Sequence, residues 1–163
     1  MKKLLFILLF IPLILFSQET KVKNVLNSDT IKQEFLKVTD GITYYKGEPY
    51  TGVFYKNYEN GQLKKKIVYK DGKRNGLAES FYESGQLKIK MVYKDDKRNG
   101  LAESFYESGQ LKTKEFFKDG KRNGIGEEYN KNGQLFKKIV FKDGKKNGLA
   151  EIYNESGQLE DKM

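Results

Sequence analysis

YKDGKRNGLAESFYESGQLK runs from Tyr69 to Lys88, and YKDDKRNGLAESFYESGQLK runs from Tyr93 to Lys112. The two stretches start 24 residues apart and differ at one position, Gly72 against Asp96. The period extends outward in both directions. Gly52, Gly76, Gly100, Gly124 and Gly148 form one ladder at this spacing. Gly61, Gly85, Gly109, Gly133 and Gly157, each followed by Gln-Leu, form a second. Gly72, Gly120 and Gly144 form a third, with Asp96 on the missing rung. With Gly41, Gly47 and Gly126 these account for all 16 glycines, so glycine acts as punctuation. A length of 163 residues would suit one ordinary domain, but a fixed period overrides that expectation. Units of this kind bury their apolar faces only against their neighbours.

Between the glycines the chain reads as strand. Leu77 to Tyr82 and Leu87 to Tyr93 are short, rich in aromatic and aliphatic residues, and free of proline. Glu-Ser-Gly-Gln and Glu-Asn-Gly-Gln are turn chemistry, and Lys-Asp-Gly-Lys is a second turn with a strong hairpin signal. Aspartate tolerates the left-handed backbone region, which lets Asp96 stand in for a glycine. Alternation assigns the faces. Leu87, Ile89, Met91 and Tyr93 lie on one side, and Lys88, Lys90 and Val92 on the other. Thr113, Glu115 and Lys137 interrupt the apolar side in later copies. Leu63, Leu87, Leu111 and Leu135 persist, as do the aromatics Tyr69, Tyr93, Phe117 and Phe141. Phe81, Phe105, Tyr129 and Tyr153 are expected to be further core rungs. The fold expected is all-β: an elongated array of about five 24-residue β-hairpin repeats in an antiparallel meander. The glycines recur too often for helix or coiled coil.

The unit GLAESFYESGQLKxKxxYKDGKRN, as in Gly76 to Asn99 with Asp96 for the glycine, resembles the MORN-variant repeat found in YwqK-family antitoxins. The resemblance covers about Gly41 to the C-terminus, and Tyr44 to Gly52 looks like an incomplete lead-in. It implies β-hairpin repeats and interaction roles, and the family label implies an antitoxin. It carries no residue-level mechanism onto this chain.

The first segment reads differently. Lys2 and Lys3 precede Leu4 to Phe16, apolar apart from Pro12, and Ser17 then leads into Gln18-Glu19-Thr20. This is the pattern of a cleaved secretory signal, and the run is shorter than the about 20 residues a spanning helix needs. Residues 1–17 are therefore assigned to a signal peptide, 18–30 to a flexible leader and 31–51 to an N-terminal capping hairpin built from Phe35–Val38 and Ile42–Tyr45. The array occupies 52–163, in units 52–75, 76–99, 100–123, 124–147 and a partial 148–163 with only its first strand and turn. No transmembrane span is expected after cleavage. The protein is expected to be exported, whether periplasmic, secreted or peripherally attached to the envelope, and monomeric.

Composition narrows the chemistry. With no histidine and no cysteine, the chain can build no Ser-His-Asp triad, Cys-His pair, disulfide or ordinary zinc site. Glu79, Glu103, Glu127 and Glu151 recur at one position, with Tyr55 in the first unit. A catalytic carboxylate pair would be expected once, so the recurrence reads as structural. The Asp-Gly turns lack the ligand spacing of a calcium loop. No enzyme activity, metal or cofactor is expected. The formal charge is +9. One turn edge is expected to carry a basic strip of Lys73 and Arg74, Lys97 and Arg98, Lys121 and Arg122, then Lys145 and Lys146. Lys64, Lys66, Lys88, Lys90, Lys112 and Lys114 would extend it, while Glu59, Glu83, Glu107 and Glu155 mark the opposite edge. Such a strip would attract an unknown protein or an anionic envelope component. The same charge would also keep a thin sheet soluble, and the sequence leaves both roles open. Nucleic acid would suit the charge and the aromatics, but export argues against it. The function expected is a binding or scaffold module, with an immunity protein that neutralises a toxin as the alternative.

Overall fold

The computed structural model describes residues 36–162. The signal peptide, the leader and Phe35 lie outside the described residues. Two sheets are built entirely from antiparallel neighbours. A small one contains β1 (Leu36–Thr39), β2 (Ile42–Tyr45) and β3 (Glu48–Pro49). The cap is therefore a hairpin with a third short strand. The large sheet has 12 strands. It begins with β4 (Gly52–Asn57), β5 (Leu63–Lys70), β6 (Lys73–Phe81), β7 (Leu87–Lys94), β8 (Lys97–Phe105) and β9 (Leu111–Lys118). It continues with β10 (Lys121–Arg122), β11 (Gly124–Tyr129), β12 (Leu135–Lys142), β13 (Lys145–Lys146), β14 (Glu151–Tyr153) and β15 (Leu159–Lys162). The last unit thus has a second strand: β15 pairs with β14 although Glu160-Asp161-Lys162 leaves it fully exposed.

Two turns alternate along the meander. At the Asp-Gly turn both central residues have positive φ, 49° at Asp71 and 76° at Gly72, so Lys70 sits directly opposite Lys73. That two-residue turn matches the right-handed twist of its strands. Asp96 adopts a φ of 64° in the same role, as its chemistry predicts. At the other turn the Tyr82 amide donates to the Gln86 carbonyl (2.8 Å) and the Gly85 amide to the Tyr82 carbonyl (2.9 Å). Gly85 is left-handed there, and the register slips by one residue between Ser80 and Phe81.

The first glycine ladder punctuates strands only in part: Gly52 and Gly124 begin β4 and β11, but Gly76 and Gly100 lie inside β6 and β8. Gly76 lies inside β6, at φ 117°, where pairing to β5 jumps from Ile67–Ala78 to Tyr69–Arg74. A Cβ on Gly76 would stand 3.2 Å from Val68 Cβ. The bulge therefore needs a residue without a side chain, and the strand passes through the boundary that the 24-residue count suggests.

Hydrogen bonds tie the first four units to one another along both edges. The hydroxyls of Tyr58, Tyr82 and Tyr106 donate to the carbonyls of Phe81, Phe105 and Tyr129, at 2.8, 2.8 and 2.9 Å. On the Asp-Gly edge, the amides of Asp96, Gly120 and Gly144 donate to the carbonyls of Arg74, Arg98 and Arg122. Tyr82→Phe is expected to cost about 1 kcal/mol in urea unfolding, the net worth of a hydrogen bond. An unchanged midpoint would show that water replaces the hydroxyl without loss.

The core is thin. Tyr50 and Phe54 are buried at the cap, packed by Leu36, Tyr45, Ile67 and Tyr69. Ile139, Phe141 and Ala150 form a second cluster near the other end. Phe117 is also buried, while Phe81, Phe105, Tyr129 and Tyr153 are only half-buried and are not core rungs. The cap is keyed to the array by Gly72, whose amide donates to the Tyr50 carbonyl and whose carbonyl accepts from the Thr43 amide, both at 2.8 Å.

Candidate interaction surface

Cross-strand register decides which side chains share a face, because residues directly opposite project to the same side. One face carries Ile67, Ala78 and Met91 with Tyr69, Tyr93, Phe117 and Phe141. The other carries most of the lysines, although Lys65, Lys137 and Lys146 share the aromatic face.

The arginines of the expected strip leave it. Arg74 is opposite Tyr69, Arg98 opposite Tyr93 and Arg122 opposite Phe117, which puts all three on the aromatic face. Each guanidinium stacks on the next unit's ring: Arg74 on Tyr93 at 4.3 Å, Arg98 on Phe117 at 5.1 Å and Arg122 on Phe141 at 5.2 Å. Arg74 also pairs with Asp96, Nε to Oδ1 at 2.7 Å, so that aspartate does more than tolerate its turn. Burial lowers the Arg74 pKa, but the Asp96 hydrogen bond leads the contacts that raise it overall. Arg122 meets Glu115 at 2.9 Å, and Ser104 meets Thr113 at 2.6 Å, so two of the polar interruptions on the apolar side are satisfied. Lys146 falls opposite Phe141, in the place the arginines take elsewhere. The sequence suggests that Lys73 and Arg74 share one turn edge. The turn consumes only two residues, so the strand starts at the lysine and alternation separates the pair.

The recurring glutamates form a row with lysines across the lysine face. Lys66, Glu79, Lys90, Glu103, Lys114, Glu127, Lys138, Glu151 and Lys162 follow one another as successive cross-strand partners. Ion pairs close at Lys66–Glu79 (3.6 Å), Lys138–Glu151 (3.5 Å) and Lys162–Glu151 (3.8 Å). The Tyr153 hydroxyl, donating at 2.8 Å, holds the Glu151 carboxyl below its usual range, with Lys138 and Lys162 adding to the effect against burial. Lys66, Lys90 and Lys114 therefore belong to a charge-balanced row and do not extend the basic strip. Lys64, Lys88 and Lys112 lie over Tyr58, Tyr82 and Tyr106 at 4.7, 5.0 and 5.5 Å.

The basic charge that repeats in every unit outside this row is at the tips of the Asp-Gly hairpins. Lys70–Lys73, Lys94–Lys97, Lys118–Lys121 and Lys142–Lys145 are directly opposed pairs of like charge. None of these lysines has an ion-pair partner among the described residues. Between the tips and the balanced row runs an apolar stripe that the sequence reading missed. Leu77 is opposite Val92, Leu101 opposite Phe116 and Ile125 opposite Val140. Val92, Phe116 and Ile125 are exposed. The lone valine among lysines in Leu87–Tyr93 was its only trace. Among the described residues no cluster of carboxylates is placed to hold a metal ion.

The chain aligns with the crystal structure of accessory secretory protein 1, 2 and 3 from Streptococcus pneumoniae at 15% identity and a TM-score of 0.37, covering 77% of this chain and 21% of that one. It aligns with an S. aureus TarM mutant in complex with fondaparinux, alpha-GlcNAc-glycerol and UDP at 14% identity and a TM-score of 0.37, covering 80% of this chain and 23% of that one. The chain thus spans less than a quarter of either. No curated protein sequence matches it. The MORN repeat variant matches residues 50–71, 74–95, 98–119 and 122–143, more than half of the chain. Each match ends at or next to an Asp-Gly turn, so the period in the sequence and the hairpins in the structure describe one unit: the chain belongs to the MORN repeat variant family.

Proposed function

We propose that this protein is a non-catalytic binding module that holds an extended anionic partner, a protein or an envelope polymer, along its lysine face. MORN repeats are generally binding or scaffold modules and typically non-catalytic. The observation that carries the finer reading is the set of four opposed lysine pairs. Like charges directly opposite each other weaken a sheet, yet all four tips repeat the arrangement. One turn aspartate offsets part of the charge at three tips, and at the second Asp95 is joined by Asp96, which pairs with Arg74. Two strands per unit at ~4.8 Å set successive tips roughly 10 Å apart, and the apolar stripe follows the same line. Exposed ion pairs are worth at most about 1 kcal/mol each. One tip would hold an anion weakly, and a row would hold a long one.

Export, supported by the Lys2-Lys3 and Leu4–Phe16 pattern, would place this binding in the periplasm, at the envelope or outside the cell. The antitoxin role implied by the family resemblance would use the same face, with a toxin as the anionic partner.

Binding of poly-L-glutamate to the mature protein at low salt tests the reading. Lys73→Glu is expected to weaken it a few-fold, and Lys73→Glu, Lys97→Glu and Lys121→Glu together by about twentyfold. The triple variant should also flatten the salt dependence. The arginines are left intact because they hold the aromatic face. If the triple variant binds as tightly as the parent, the lysines serve solubility alone.

A further inference from the structure

The fourth and fifth units depart from the first three at two positions, with Asn130 and Phe136 in one and Asn154 and Glu160 in the other. In the first three units a tyrosine (Tyr58, Tyr82, Tyr106) reaches the next unit's carbonyl beneath a lysine (Lys64, Lys88, Lys112). In the fourth, Asn130 replaces the tyrosine and Phe136 replaces the lysine. Asn130 folds back into its own turn, where Oδ1 accepts from the amides of Asn132 and Gln134, each at 3.0 Å. The rung toward the fifth unit is lost, and Phe136 stands 48% exposed. A groove of ≈ 670 Å³ opens there, with Tyr106, Tyr129, Phe136 and Tyr153 among its lining residues. Two of these rings are held in place from beneath. Tyr129 donates to Glu127 Oε2 at 3.0 Å, and Tyr153 donates to Glu151 Oε2 at 2.8 Å.

The charge of the lining is reversed relative to the protein. Glu155 and Glu160 line it beside a single lysine, Lys112, in a chain of net charge +9. Lys112 is already placed over the Tyr106 ring. Aromatic faces beside carboxylates suit an organic cation, which gains from ring quadrupoles and from the negative charge together. The groove is also larger than one side chain needs and lies in the volume range of ligand-binding sites.

We propose that this groove is a second binding site, separate from the lysine pairs at the Asp-Gly tips, that takes a basic peptide segment by seating an arginine or lysine side chain among Tyr129, Phe136 and Tyr153. The protein's overall charge repels such a peptide, so binding must come from the groove itself.

The test uses the mature protein and a labelled peptide of alternating arginine and glycine, with citrulline replacing arginine in a neutral control. Fluorescence anisotropy should show the arginine peptide bound at least about tenfold more tightly than the citrulline one. Asn130→Tyr with Phe136→Lys restores the pattern of the first three units, so it should fold with an unchanged strand spectrum while losing about tenfold in affinity. Glu155→Gln with Glu160→Gln should lose a similar factor. Failure of the parent to bind, equal binding of the citrulline peptide, or full affinity in the restored variant would each overturn the proposal. Displacement of the peptide by equimolar spermidine would overturn its assignment to a peptide.

Discussion

Gly72→Asp is expected to destabilise the protein by about 3 to 4 kcal/mol, while Gly120→Asp changes it by less than about 1 kcal/mol. Both glycines occupy the position that Asp96 fills one unit away, with φ of 76° and 86°. An aspartate can adopt that backbone, so local conformation does not separate them. Their surroundings do. A Cβ at Gly72 would overlap Ile42 Cγ2 and stand 2.8 Å from the Thr43 carbonyl oxygen. Gly72 is also buried, so the carboxylate would lose water with no cation in place to pair with it. At Gly120 a Cβ would meet only the Lys97 side chain, at 3.9 Å. The Gly120 amide already donates to the Arg98 carbonyl, as Asp96 does to Arg74, so the new carboxylate would face Arg98 as Asp96 faces Arg74. Urea unfolding of both variants measures the difference. Equal losses would show that Gly72 serves only its turn and that the cap is not keyed to the array there.

Phe54→Ala and Phe141→Ala are each expected to cost about 3 to 5 kcal/mol, the range for emptying a buried phenylalanine site. Phe54 is 6% exposed and Phe141 9% exposed, in a protein where no described side chain is fully buried. Two small clusters therefore carry a large share of the apolar packing. Because they lie in separate clusters, the two losses should add within about 0.5 kcal/mol while unfolding remains cooperative. A linear array also passes destabilisation mainly to neighbouring units. Amide exchange in Phe54→Ala should accelerate through the cap and β4 to β6 before it does so in β11 to β14, and Phe141→Ala should show the reverse order. Uniform acceleration along the chain in either variant would contradict a one-dimensional array with two separate cores.

Much of this architecture could be read from the sequence because its causes are local. Asp-Gly between apolar runs demands a two-residue hairpin turn, and positive φ at Asp71 and Gly72 realises it. The alternation from Leu87 to Tyr93 reappears as alternating half-buried and exposed residues along β7, since successive strand side chains must project to opposite faces. The 24-residue period then repeats these local choices into a single meander. The basic character of the hairpin tips was legible for the same reason.

The partners were not legible, because they depend on register between residues distant in sequence. Whether Lys66 extends a basic strip or neutralises Glu79 is decided by which residue of β6 lies opposite it. Arg74 looked like a member of a strip beside Lys73, but a strand that starts at the lysine turns the arginine under Tyr93 of the following unit. Gly76 looked like a boundary, but its missing side chain admits Val68 at a bulge inside a continuous strand. The groove at Phe136 depends on two substitutions whose side chains matter only because the fold brings Asn130 and Phe136 beside Tyr106 and Tyr153. The sequence by itself determined the unit, its turns and the two kinds of face, which follow from backbone sterics and a period of two. Only the tertiary structure decided which charges are cancelled and which remain free, because electrostatic energy depends on distances between strands that the chain order does not contain.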